Sequence, residues 1–152
     1  MINIRQKGQE GERQVAKALN TIIKELLAQH SLPVPEKDIV QRNQNQSAVG
    51  GSDLSNVFGI AVEIKRQEQL SVNTWWAQCT KAADANGEFP VLIYRQNNKP
   101  WRVVMFSYAQ LPALDGMPTA IRVRTEMDWD SFLTWFRQWV DRKLQSGELP
   151  HV

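Results

Sequence analysis

Asp53 and Glu63 are separated by nine residues, positions 54–62, and Lys65 follows Glu63 by two. In extended chain, side chains alternate between the two faces, so Glu63 and Lys65 share a face with Ala61. The nine-residue interval lets two neighbouring strands bring both carboxylates to one end of a sheet. Close carboxylates repel, and a hard divalent cation such as Mg²⁺ relieves that repulsion with oxygen ligands while keeping several waters. Such an ion lowers the pKa of a bound water, and a nearby ammonium orients that water or offsets charge growing on a phosphate. Two carboxylates and a lysine are the minimum set for metal-assisted phosphodiester hydrolysis. The residues alone also allow blander readings: Glu63 and Lys65 as an exposed ion pair, and Asp53 as a brace for the turn after Gly50 and Gly51.

The stretch GGSDLSNVFGIAVEIKRQ supplies the strand. Its alternation predicts Phe58, Ile60, Val62 and Ile64 on a buried face, with Ala61, Glu63 and Lys65 opposite. Upstream, Val15, Leu19, Ile22, Ile23, Leu26 and Leu27 recur at three- and four-residue steps and predict a long amphipathic helix over 6–29. Two prolines in 32–36 end it, 38–42 reads as a strand, and a polar loop over 43–51 leads to a short extended piece around Asp53. Residues 72–85 have helical spacing through Trp76, Cys79 and Ala83, closed by Asn86-Gly87. Strands over 91–95 and 101–106 flank a polar interval of hairpin length, and 120–124 reads as a further strand. Asp128 is a plausible N-cap for a last helix to about Lys143, whose Trp129, Phe132, Leu133, Phe136, Trp139 and Val140 form one stripe. Such stripes are usually core, covering a sheet or a partner subunit, with base stacking by the tryptophans as the minority reading. Together these elements predict one α/β domain, 1–152, with a mixed sheet flanked by helices. Residues 6–85 would carry the chemistry, with a hairpin and a last helix of unassigned role in 86–152.

A chain of 152 residues, 42% hydrophobic and 22% charged, fits one ordinary globular core. The polar start and the lack of any apolar run of about 20 residues argue against secretion and membrane insertion, and a cytoplasmic protein is expected. Cys79 is the single cysteine, so an internal disulfide or cysteine zinc site is excluded and the thiol reads as a small core residue. His30 and His151 suggest neither a metal cluster nor a catalytic base. The net charge of +2 is too small to announce a nucleic-acid binder, so any basic surface must be local.

Asp53 followed by Glu63-Ile64-Lys65 at the end of an apolar strand resembles the PD-(D/E)XK nuclease superfamily, which implies a restriction-endonuclease-like fold. The segment Lys7-Gly8-Gln9-Glu10-Gly11-Glu12-Arg13 is similar to the opening of the archaeal-type Holliday junction resolvases, where a glutamate of the first helix completes the acidic site; by that pattern Glu12 is the third carboxylate. An arginine leading into a Ser/Gly loop before the aspartate is matched by Arg42, Ser47, Gly50, Gly51 and Ser52, although many members carry proline where Ser52 stands. The resemblance covers 7–85. It implies that Asp53, Glu63 and the main-chain carbonyl of Ile64 hold Mg²⁺, with Mn²⁺ able to substitute, that Lys65 is catalytic, and that Arg42 lies near a phosphate. In several branches a polar residue of the following helix faces the site, which nominates Gln78.

Lys7, Arg13, Ser52, Arg66 and Lys81 are further candidates for nucleic-acid contact, and clustering near one sheet end is what would count. The expectation is a Mg²⁺-dependent endonuclease acting on DNA, most plausibly branched DNA such as a four-way junction, and working as a homodimer. The rivals are another nuclease on the same fold, of nicking, restriction-like or repair type, and a binding module without chemistry.

Overall fold

The computed structural model describes residues 4–43 and 52–151. Ser47, Gly50 and Gly51 lie outside the described residues. The first helix, α1 (Ile4–Gln29), forms where the apolar spacing predicts it, and Val15, Leu19, Ile22, Ile23, Leu26 and Leu27 are all buried. Strand β1 (Gln41–Arg42) pairs antiparallel with β2 (Leu54–Ser55). The strand expected over 38–42 is shorter for a definite reason. Asn20 of α1 is buried, and its Oδ1 accepts from Ile39 N at 3.0 Å and Val40 N at 2.7 Å while its Nδ2 donates to Val40 O at 3.0 Å. A side-chain amide therefore takes the backbone groups that a neighbouring strand would otherwise use.

Strand β3 (Ile60–Arg66) runs parallel to β4 (Phe89–Arg95), with Lys65 opposite Tyr94 and Arg66 opposite Arg95; helix α2 (Val72–Asn86) connects them. Phe58 does not belong to β3 as expected: its φ of 51°, followed by 82° at Gly59, puts it in a left-handed turn that starts the strand at Ile60. Strands β5 (Arg102–Gln110) and β6 (Ala120–Asp128) continue antiparallel, giving a mixed sheet of order β3-β4-β5-β6. Both are longer than the sequence suggests, because the hairpin extends past the core. Asp128 ends β6 and caps helix α3 (Trp129–Gln145), accepting from Ser131 N at 2.7 Å.

The sheet is covered on both faces by the three helices of the described residues. Ile60, Val62, Ile64, Val91, Ile93, Val103 and Met105 face α1 and α3, while Leu92, Tyr94 and Val104 face Trp75 and Cys79 of α2. Ala61 was expected on an open face and is buried, because α2 roofs that side; Cys79 Sγ lies 3.8 Å from its carbonyl. On α3 the buried stripe is Phe132, Phe136, Val140 and Leu144, and Trp129, Leu133, Trp135 and Trp139 pack at its flanks. Trp139 Nε1 donates to Phe58 O at 2.9 Å, and Phe89 stacks at 5.6 and 5.4 Å against Trp135 and Trp139. Phe132 and Phe136 are core, each contributing on the order of 1.5–3 kcal/mol through burial, and the half-buried tryptophans and Phe89 pack against them.

Candidate active site

The β1–β2 ribbon lies against the free edge of β3. Asp53 N donates to Val62 O at 2.9 Å, and Asn43 N donates to Asp53 O at 2.8 Å. Fixed on both sides, Asp53 turns its side chain inward, where Oδ2 accepts from Ile64 N at 2.7 Å and the residue is only 6% exposed. Strand alternation sends the Ile64 carbonyl out on the same side as its N–H, towards Asp53.

Glu63 and Lys65 project from one face of β3 with Glu63 Oε1 and Lys65 Nζ 3.5 Å apart. Glu12 approaches from α1, and its Oε2 accepts from Arg42 Nε of β1 at 2.7 Å. Burial pushes the Asp53 carboxyl up to about 7, Glu63 and Glu12 add to the rise, and the Ile64 N–H and Lys65 oppose it. Burial also raises Glu63; Lys65 opposes that shift and Glu12 adds to it. The three carboxylates are thus within each other's fields, but Glu12 is spent on Arg42. Among the described residues no three His, Cys, Asp or Glu side chains form a metal-holding group. The donors that fit a hard cation are the Asp53 and Glu63 carboxylates, whose mutual repulsion an ion would relieve, with the Ile64 carbonyl beside them.

The other candidates do not join the carboxylates: Lys7 and Arg66 lie on the α1 side of the sheet, and the rest scatter. Ser52 is buried and donates its hydroxyl to Leu54 O at 3.0 Å, so it shapes the turn instead of presenting a contact. Lys7, a candidate for nucleic-acid contact, is also buried and lies 3.7 Å from Glu68. Arg13 is exposed and lines a groove with Lys17, Lys24, Gln41 and Arg42. Gln78 and Lys81 are exposed on α2, and Gln78 makes no hydrogen bond to the carboxylates. Arg66 leaves β3 on the face opposite Lys65, with Nη1 3.5 Å from Glu10. His30 pairs with Asp141 at 2.6 Å and the His151 backbone bonds to Asn56, both away from the carboxylates. The Cys79 thiol is pushed up to about 12 by burial and then by Glu63, so it stays protonated.

Sequence reasoning missed Arg95, which lies opposite Arg66 in the β3–β4 register and over the Trp101 ring at 5.0 Å. The signal was a pair of similar strand ends, Ile64-Lys65-Arg66 and Ile93-Tyr94-Arg95.

No curated protein matches the sequence. A solved structure, the Holliday junction resolvase Hjc of the archaeal hyperthermophile Archaeoglobus fulgidus, aligns with a TM-score of 0.46 and 12% identity, over 84% of this chain and 96% of that one. Residues 3–139 match the family described as "Phage putative PDDEXK endonuclease". That match spans both Asp53 and Glu63-Ile64-Lys65 and most of the sequence, and the chain belongs to this PD-(D/E)XK endonuclease family.

Proposed function

We propose that the protein is a divalent-metal-dependent endonuclease that hydrolyses DNA phosphodiesters, with Mg²⁺ as its ion, Mn²⁺ as a substitute, and branched DNA such as a four-way junction as preferred substrate. The observation that carries the reading is the buried Asp53 carboxyl held between Glu63 and the Ile64 N–H, with Lys65 Nζ 3.5 Å from Glu63. Asp53 and Glu63 would hold a hard divalent ion, which would supply Lewis acidity and a more acidic water.

The chain's own groups do the rest. Asp53 is locked by one backbone hydrogen bond, which fixes the angle of its free oxygen. Lys65 places positive charge beside the carboxylates, where it can stabilise charge developing on a phosphate. Arg42 holds Glu12 in a fixed position at the rim. Residues 6–85 provide these groups, and 86–152 complete and cover the sheet within the same domain. Cutting two opposed strands of a junction symmetrically requires two sites related by a two-fold axis, so the working form is a homodimer.

The test is cleavage of labelled four-way junction, flap and linear duplex of matched sequence by purified protein with Mg²⁺ or Mn²⁺. Preferential cutting of the junction is expected, and Glu63→Gln or Lys65→Ala should retain binding while losing at least about 100-fold in rate. Equal cutting of duplex and junction would remove the branched-DNA assignment. Failure to cut any substrate with either ion would remove the enzymatic one.

A further inference from the structure

The face of the sheet opposite Lys65 carries a second cluster of charge. Arg66 and Arg95 end parallel strands at register-paired positions, so their side chains leave the sheet on the same face from strands about 4.8 Å apart. Two guanidiniums at that spacing repel, and both are partly withdrawn from water. Arg66 has a side chain only 14% exposed. Arg66 Nε and Nη1 and Arg95 Nε are buried without a hydrogen-bond partner among the described residues.

The surroundings hold the pair in place without satisfying it. Arg95 lies over Trp101, and a Cβ at Gly11 of α1 would come within 3.2 Å of that ring and 3.6 Å of Arg66 Cβ, so the helix approaches closely only because residue 11 has no side chain. Lys7, one helical turn earlier, is 8% exposed. Three cations, Lys7, Arg66 and Arg95, therefore face two carboxylates: Glu68, 3.7 Å from Lys7 and held by the Asn97 N–H at 2.6 Å, and Glu10, 3.5 Å from Arg66 with a side chain 62% exposed. Unsatisfied buried donors on like-charged neighbours are costly unless an anion completes them.

We propose that Arg66 and Arg95 form a seat for a backbone phosphate of the nucleic acid, distinct from the phosphate that reacts. The occupant follows from position and chemistry. Guanidinium forks match phosphate oxygens in pairs, and Arg66 directly follows Lys65 on the opposite face of the same strand. A nucleic-acid strand crossing the carboxyl edge of the sheet meets Lys65 with one phosphate and the arginine pair with another. The seat rests on the nuclease reading for its ligand, but it is tested without cleavage.

The experiment is binding of fluorescent four-way junction and linear duplex in EDTA, from low to moderate NaCl, by wild type, Arg95→Gln and Glu10→Gln. Arg95→Gln is expected to bind about tenfold more weakly at low salt, with the log–log salt slope smaller by about 0.9, the loss of one phosphate contact. Glu10→Gln removes a competing carboxylate and should bind about twofold more tightly, which a merely structural role would not produce. Should Arg95→Gln fail to fold, wild type is melted in inorganic phosphate against chloride at equal ionic strength; a rise of about 2 °C is expected. Unchanged affinity and slope in folded Arg95→Gln, no phosphate shift, or no DNA binding by wild type would each overturn the seat. A wild type that binds with this slope pattern but cuts nothing would leave the seat standing and remove the nuclease reading.

Discussion

Asp53 is an awkward residue to fold. It is almost fully buried, repelled by Glu63 and Glu12, and relieved by one backbone N–H and Lys65, which leaves its carboxyl at about 7 against 3.8 in the unfolded chain. With the folded-state value raised, the stability held at low pH is full below about 4, falls between about 4 and 7, and stays low above. Asp53→Asn keeps an oxygen acceptor for Ile64 N–H and removes the charge. In EDTA at pH 8 this variant should melt at least about 3 °C above wild type, while at pH 4 the two should coincide. Equal melting at pH 8 would show that the charge is under no strain. Glu63 and Lys65 were legible at this scale because two-residue alternation is a local property. The burial of Ser52 and Lys7 was not, because it depends on what packs over them from distant parts of the chain. Arg95 needed the register of a parallel pair: the two strand ends are alike in sequence, but that they lie side by side is not a local property.

At the scale of elements, the helices were legible because a 3.6-residue period repeats over many residues, as in Val15 to Leu27. Strand ends were less so: Phe58 reads as the next apolar residue of β3 but sits in the turn, and β5–β6 runs on beyond the core in residues whose alternation is weak. The least legible element was the clamp at Asn20, a polar residue on the buried face of α1 that holds Ile39 and Val40. Because the following strand carries Arg42, which holds Glu12, the clamp positions part of the site. Asn20→Ala should cost about 3 kcal/mol in urea unfolding by stranding buried backbone groups, and should lower cleavage more than binding. Loss below about 1 kcal/mol would mean that water or rearrangement replaces the amide. On α3, Phe136 is fully buried, and Phe136→Ala should cost about 4 kcal/mol through transfer and cavity terms. A stable Phe136→Ala protein with weakened DNA binding would instead revive base stacking as the role of that aromatic stripe.

For the molecule as a whole, a net charge of +2 conceals a strongly uneven distribution. Carboxylates gather where β2 meets β3, while arginines and lysine gather at the carboxyl ends of β3 and β4 on the other face. That separation suits the proposed substrate, a polyanion whose reacting phosphate would be met through a cation held by the carboxylates and whose neighbouring phosphates would be met by the arginines. No helix among the described residues is long and apolar enough to cross a membrane. Joint capture of a hard cation by Asp53 and Glu63 is tested most directly by calorimetric titration of Mn²⁺ into wild type and Glu63→Gln at pH 7.5. A saturable site in wild type that is lost in Glu63→Gln is the predicted result. No binding in wild type, or the same isotherm in both proteins, would contradict it.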